Sequence, residues 1–382
     1  MVGGAEGAAT RLRAMTPPGP ILQVLVSTRP GGGPQHVALL ARWLQARGWQ
    51  PIVAGPADGV LFDDFVKMGI ETVPLATNRF RRTTLVQLIQ LVRARGVTLI
   101  HSHGKGAGLY GRVAARLTRV PAVHTLHGIH FERYARPARA FYLALERRLS
   151  SWSARIINVS HEQEREGLAL RLFDARQSRV IRNGVDVARV AGAALERTDA
   201  RAELKLPADA TVVGAVARFD RVKRLDLLLD AVARLRDVTL ALIGDGDESA
   251  RLRALAARHA LGPRVLFTGE LRGAARLLLA FDIYASPSHK EGMPMAVLEA
   301  MALGLPVVAS DIPAHRELLG PASGGLVAGT VDTFADALQR VTRDASLRAA
   351  LGAENRTRAR SEFDAREMLG ALEAVYGEVL RR

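Results

Sequence analysis

The sequence predicts an α/β protein made of parallel sheets in two successive halves, and three features carry that expectation. The chain has 382 residues, enough for about two domains with cores of their own. In each half a short apolar segment, Ile21–Ser27 (ILQVLVS) or Thr211–Ala217 (TVVGAVA), enters a loop rich in glycine or cations and then an amphipathic stretch. That is the pattern of a buried parallel strand and its crossover helix. At Ser286–Ser310 (SPSHKEGMPMAVLEAMALGLPVVAS) a turn, a helix and an apolar strand, Val307–Ala309, follow one another closely.

Residues 1–20 are small, polar and rich in Pro and Gly, and are expected to be a disordered lead-in. The first domain is expected over 21–190. After Ile21–Ser27 come Gly31–Gly33, which let a backbone approach a phosphate, and a helix from about Gln35 to Arg47. Strand Gln50–Ala54, helix Leu61–Met68, ended by Gly69, and strand Glu71–Pro74 form the next unit. In RFRRTTLVQLIQLVRARG, Leu85, Leu88, Ile89 and Val92 share one helical face, expected to pack on the sheet in preference to lying on a membrane.

Strands Val97–His101 and Ala122–Leu126 carry His101, His103, His124, His127 and His130 between and after them. No carboxylate or thiolate stands near to complete a metal site, so no metal is expected there. The segment YARPARAFYLALERRLSSWSA reads as an amphipathic helix with Phe141, Tyr142, Leu145 and Leu149 apolar, and Arg133, Arg136, Arg139, Arg147 and Arg148 basic. Strands Arg155–Val159 and Arg179–Ile181 lead to the turn Asn183–Gly184, and residues Asp186 to Asp209 are loosely patterned, the expected interdomain link.

The second domain is expected over 191–362. Behind strand Thr211–Ala217, Arg218 and Lys223 stand five apart across a loop, which lets two cations converge on one diphosphate. Strand Thr239–Ile243 enters Gly244-Asp245-Gly246-Asp247, read as a turn whose Asp247 caps the following helix. Val265–Thr268 is a further strand, and Asp311–Leu318 a loop whose His315 is structural. Residues 363–382 read as a terminal helix.

In Ser286–Ser310, Glu291 lies in a turn just before a helix whose first position suits Pro294, and Glu299 lies inside that helix. A helix start gathers free N–H groups and partial positive charge, so it favours a phosphate. Glu299 is about five residues in, roughly 7 Å along the axis. A phosphate-bridged ligand with a hydroxylated ring on each side would meet a carboxylate at both rings, and nucleotide sugars have that shape.

EGMPMAVLEAMALGLPVVAS resembles the E-x7-E signature of the retaining glycosyltransferases of family 4, as do the GG turn, TLHGIH, RNGVD and R-x4-K. The resemblance implies the GT-B fold, two facing Rossmann-like domains with residues 363–382 crossing back to the first. It places Glu291 at the donor sugar, Glu299 at the ribose, Arg218 and Lys223 on the diphosphate, and His127 at the reacting face. Gly32 and Gly33 would face donor phosphates and acceptor, Gly244 and Gly246 the nucleotide base, with Gly292, Met293 and Met295 at the helix start. His103 and Lys105 would line the acceptor side.

The activity so implied is retaining sugar transfer from a nucleotide-diphosphate sugar, UDP-sugar favoured, with neither metal nor other cofactor. The acceptor would be a lipid-linked saccharide in bacterial envelope or exopolysaccharide synthesis. The alternative activities are nucleotide-sugar epimerisation on the same fold and simple polyanion or nucleic-acid binding. Aromatic residues are only 5%, with no stacking pattern, so nucleic acid is not expected. The net charge is +15, and from Arg79 to Arg155 there are 15 Lys/Arg against only Glu132 and Glu146. This basic region suits an anionic membrane surface or a lipid-linked pyrophosphate, although an Arg-rich composition accounts for it as well. No cysteine is present and no apolar run approaches the length of a membrane span, so a cytoplasmic protein is expected, either soluble or peripheral on the inner face of the membrane.

Overall fold

The computed structural model describes residues 19–129 and 134–381. His130 and Arg133, and all but the end of the expected lead-in, lie outside them. The first half is one parallel sheet of seven strands: β1 (Ile21–Val24), β2 (Pro51–Gly55), β3 (Glu71–Pro74), β4 (Leu99–His103), β5 (Ala122–Thr125), β6 (Arg155–Asn158) and β7 (Ser178–Val180). The second is a parallel sheet of six: β8 (Thr211–Val216), β9 (Val238–Ile243), β10 (Val265–Gly269), β11 (Ile283–Ser286), β12 (Val307–Ser310) and β13 (Leu326–Val327). Their strand orders, β3-β2-β1-β4-β5-β6-β7 and β10-β9-β8-β11-β12-β13, both reverse beside the leading strand. In such sheets ligands bind beyond the carboxyl ends of the strands at the reversal, here β1/β4 and β8/β11.

Helices cover both faces of each sheet, so the central strands are buried on both sides; β1, β5, β6 and β12 are buried throughout. Helix Arg82–Ala94 buries Leu88 and Val92 against β1, β2 and β4, with Leu85 and Ile89 packed beside them, so this helix does pack on its sheet. The terminal helix, Ala365–Leu380, returns to the first sheet, where Leu369, Leu372 and Tyr376 pack with Ile21, Leu40 and Leu99. Glu373 pins it there by accepting from Trp43 Nε1 at 2.8 Å and Trp49 Nε1 at 2.9 Å.

Four expectations need correction. The link is not loose: Val187–Ala193 and Arg197–Glu203 are short helices, the first capped by Asp186, whose carboxylate accepts from the Arg189 N–H. Residues Pro313–Leu319 form a helix, not a loop, with the proline in its first turn. Asp247 caps nothing; the helix Ser249–Arg258 begins after Glu248, and Asp245 accepts from the Gly246 N–H and from Ser249 Oγ. Pro294 is the residue before helix Met295–Ala302, with an extended ψ of 116°, one position earlier than expected.

The basic helix Arg136–Ser150 keeps Leu149 buried and Tyr142 and Leu145 half-buried as expected, and departs from the expected facing at Phe141, Leu143 and Glu146. Leu143, Glu146 and Leu149 turn inward, and Phe141 is 72% exposed. Glu146 is drawn in by Arg112, fully buried in helix Lys105–Thr118, which donates to Gly108 O and, at 2.8 Å, to Glu146 Oε2. A buried guanidinium needs that carboxylate, and the need brings a charged residue into the helix's buried face. Glu146→Ala is therefore expected to destabilise the first domain by about 3 kcal/mol or more, read as a lowered urea midpoint, with Arg112→Met in the same chain recovering most of the loss. An unchanged midpoint in Glu146→Ala would show the pair to be dispensable.

Candidate active site

The elements flagged by sequence converge where the two sheets face each other. Helix Gly32–Gln45, behind β1, points its start at the second domain: a Cβ on Gly32 would stand 3.6 Å from Met295 Cγ, and one on Gly33 3.5 Å from the His127 ring. His127 follows β5, and a Cβ on Gly292 would meet the His127–Gly128 backbone at 3.4 Å. Met293 is tied to the first domain through its carbonyl, which accepts from Asn183 Nδ2 at 2.9 Å. Gly32, Gly33, His127, Gly292, Met293 and Met295 thus form one seam.

On the second domain's side, Lys223 Nζ donates to Glu291 Oε1 at 2.6 Å. Burial alone would raise the Glu291 carboxyl, but Lys223, with a Ser288 hydrogen bond, holds it below the usual range. Arg218 is exposed and grips Asp220 Oδ2 at 2.6 and 2.9 Å, while the other oxygen of Asp220 accepts from the Lys223 N–H at 3.3 Å. Among the described residues no cation contacts Glu299, and its Oε1 accepts from Gln35 Nε2, across the cleft, at 3.4 Å. Burial raises Glu299 to about 7, with the more distant Arg189 opposing. His315 is buried, accepts from Ser286 Oγ at 3.0 Å and donates from Nδ1 to Ser310 O, binding the ends of β11 and β12 behind Glu291.

Gly244 and Gly246 have a backbone reason to be glycine. A Cβ on Gly244, whose φ is +136°, would fall 1.9 Å from Ala217 O, and one on Gly246 2.5 Å from Phe219 O. They hold the β9 turn against the loop bearing Arg218. On the first domain, Lys105 Nζ sits 4.3 Å above the Tyr142 ring and 4.9 Å above that of Tyr134. A cavity of about 220 Å³ opens beside Glu291, between Gly128, Gln163 and Glu166 on one wall and His289, Lys290 and Pro313 on the other. A larger recess of about 480 Å³ lies at the opposite, amino ends of β4, β5 and β6, near Thr98, Pro121 and Ala154, away from these groups.

The histidines are a hydrogen-bonded group. His103 Nδ1 lies 3.1 Å from His127 Nε2, and the His101 and His103 rings are 4.0 Å apart. His36, a residue of helix Gly32–Gln45 that sequence reasoning overlooked, meets the His127 ring edge-on at 5.2 Å and bonds Asn183 Oδ1. Burial lowers all of them: His36 to about 4, and His101, His103, His124 and His127 well below the usual value, so each is neutral at pH 7. Among the described residues no group of three His, Asp or Glu is placed to hold a metal ion. Asp220 and Ser288 were also missed; Asn183 was read as a turn residue within the RNGVD motif, without a role at the cleft.

The raised Glu299 has a definite pH signature. Between the unfolded carboxyl value, near 4.5, and about 7, the folded protein keeps a proton that the unfolded chain has released. Its contribution to stability is thus complete at low pH, falls as pH rises through that window and levels off above it. Glu299→Gln should remove this decline, measured as denaturant midpoints between pH 5 and 8; parallel curves for variant and wild type would contradict the assignment.

Comparison with known proteins agrees with this geometry. The description "Glycosyltransferase Family 4" matches residues 30–189, and "Glycosyl transferases group 1" matches 196–358. An Escherichia coli UDP-Gal:alpha-D-GlcNAc-diphosphoundecaprenol alpha-1,3-galactosyltransferase is 31% identical over 68% of this chain and 70% of its own. A D-inositol 3-phosphate glycosyltransferase from Corynebacterium jeikeium is 31% identical over 86% of this chain and 81% of its own. The structure of Anabaena HepE in complex with UDP-glucose superposes with a TM-score of 0.84 at 23% identity, covering 94% of this chain and all of that one, 100%. Two Rossmann-like domains face each other in the GT-B arrangement, and the chain belongs to the family 4 glycosyltransferases.

Proposed function

We propose that this glycosyltransferase takes its sugar from a nucleotide-diphosphate donor, UDP-sugar favoured, with retention at the transferred carbon and without a metal. The acceptor proposed is a lipid-linked saccharide of bacterial envelope or exopolysaccharide synthesis. The observation that carries the reading is the Lys223–Glu291 pair at the mouth of helix Met295–Ala302, with Glu299 farther in and His127 opposite. The E. coli relative is named for a UDP-sugar donor and a diphosphoundecaprenol-linked acceptor, which supports the same class here.

In this reading the diphosphate sits at the helix start, where free N–H groups and Lys223 offset the charge that grows as the bond from sugar to phosphate breaks. Lys223 exchanges one anion, Glu291, for another. Arg218 swings from Asp220 to the diphosphate, a cheap exchange because that ion pair is exposed. Glu299 accepts from the ribose hydroxyls, Glu291 and His127 hold the sugar, and the departing phosphate oxygen takes the proton from the acceptor hydroxyl. His103 and Lys105 are assigned to the acceptor side, and Gly244 and Gly246 to the base.

The basic face supports a membrane-bound acceptor. Helices Arg82–Ala94, Lys105–Thr118 and Arg136–Ser150 lie side by side, and Phe80 and Phe141 stand 64% and 72% exposed among arginines. Among the described residues no helix is long and apolar enough to cross a membrane, so contact would be peripheral.

Lys223→Ala and Glu291→Ala should each lower transfer at least ~100-fold, the scale expected for losing a group that stabilises developing charge, with the fold intact by circular dichroism even where the lost ion pair lowers the melting temperature. Thermal shifts with UDP-, GDP- and ADP-sugars should single out a UDP-sugar, and turnover should survive a chelator. Full activity in either variant, or its loss with chelator, would overturn the mechanism. Phe141→Ser combined with Arg136→Glu and Arg139→Glu should abolish sedimentation with anionic vesicles; unchanged sedimentation would remove the membrane from the reading.

A further inference from the structure

A continuous line of buried side chains leads away from His127 to the terminal helix. His127 Nε2 lies 3.1 Å from His103 Nδ1, and His103 Nε2 lies 2.8 Å from Gln23 Oε1. Gln23 Nε2 is 3.0 Å from the Tyr376 hydroxyl, which is 2.5 Å from His101 Nδ1, and His101 Nε2 is 2.7 Å from Thr125 Oγ1. Gln23, His101, His103, Thr125 and Tyr376 are all buried, on β1, β4, β5 and the returning helix. The register makes the line possible, since Gln23 pairs with His101 and Thr125 with His103 on adjacent strands.

Donor and acceptor roles along this line follow from one amide. Gln23 donates through Nε2 and accepts through Oε1, so His103 must donate from Nε2. A neutral His103 then has a bare Nδ1 and must receive the proton of His127 Nε2. In the other direction, Tyr376 accepts from Gln23, so its own proton goes to His101 Nδ1. His101 then donates from Nε2 to Thr125. Every contact is satisfied, and turning the Gln23 amide over would reverse all of them together.

We propose that Gln23 and Tyr376 are positioning residues that set the tautomer of His127, keeping its proton on Nε2 and leaving Nδ1 an acceptor only. Burial keeps the imidazoles neutral, which is what gives them a tautomer to set. A substrate hydroxyl approaching Nδ1 therefore meets a lone pair, whereas an ammonium-free acceptor group such as a carbonyl or phosphate oxygen finds no proton there. The arrangement also makes the terminal helix part of the site, because Tyr376 reaches β1 and β4 only when that helix is docked. The tautomer claim stands without substrate; its effect on turnover rests on the sugar-transfer reading.

The test is long-range ¹H–¹⁵N correlation of the histidine rings in the full chain, with the His127 signals assigned through His127→Gln. Wild type should show His127 protonated on Nε2. Tyr376→Phe, which unpins the amide, should give a mixture of both tautomers, and Gln23→Met should do the same. Glu373→Gln, on the same helix but off the line, should lower thermal stability and leave the wild-type tautomer, which separates positioning from simple loosening. With the nucleotide sugar chosen by thermal shift, Tyr376→Phe should lower kcat on the order of 5- to 10-fold with KM nearly unchanged, the scale of one buried hydrogen bond. A wild-type proton on Nδ1, or one unmoved in Tyr376→Phe and Gln23→Met, would overturn the proposal. A pinned tautomer without any sugar turnover would instead count against the transfer reading.

Discussion

Parallel strand order is the constraint on which the rest depends. Because each sheet reverses beside its leading strand, the loops behind β1 and β4, and behind β8 and β11, diverge and leave a crevice at the carboxyl ends. Both halves do this, and they face each other. The glycine turn, the histidine loop, the Arg218–Lys223 loop and the Glu291 turn are all strand-to-helix connections at those four ends or their neighbours. Chemistry collects there because the topology leaves backbone N–H groups, short loops and room in one place.

Among the described residues the facing is held by polar contacts spread along the cleft, Arg272 with Asp64 at 2.9 Å among them. Asn183 reaches Met293 O, Gln35 reaches Glu299, Lys290 pairs with Glu166 at 2.7 Å, and Glu317 accepts from the His161 N–H at 3.1 Å. The terminal helix supplies the larger, apolar contact, burying Met368, Leu372 and Val379 on the first sheet after the chain has completed the second domain. Packing of that kind fixes the helix firmly, while the polar contacts across the cleft are individually worth little and can be remade around a ligand.

Much of this was legible in the sequence, for identifiable reasons. Continuous apolar runs such as ILQVLVS and TVVGAVA have no amphipathic alternative, so the central strands were placed to within a few residues. Glu291, Glu299 and His127 stood out because their surroundings match a family pattern. What stayed hidden depends on partners distant in sequence. Glu146 turns inward because Arg112 needs a counterion, and no local pattern announces that. Arg218 rests on Asp220 and Lys223 on Glu291, so five-residue spacing alone did not tell which anion each cation holds. His36 and Tyr376 read as ordinary helix residues until the helices were docked.

The central claim is that a nucleotide diphosphate seats between the β8 loop and the start of helix Met295–Ala302. Hydrogen–deuterium exchange of the full chain with and without UDP tests it most directly. Slowed exchange should be concentrated in residues 218–224 and 290–299, with a weaker effect at 31–35 across the cleft. Slowing confined to the basic helices of the first domain, or none at saturating UDP, would contradict the account.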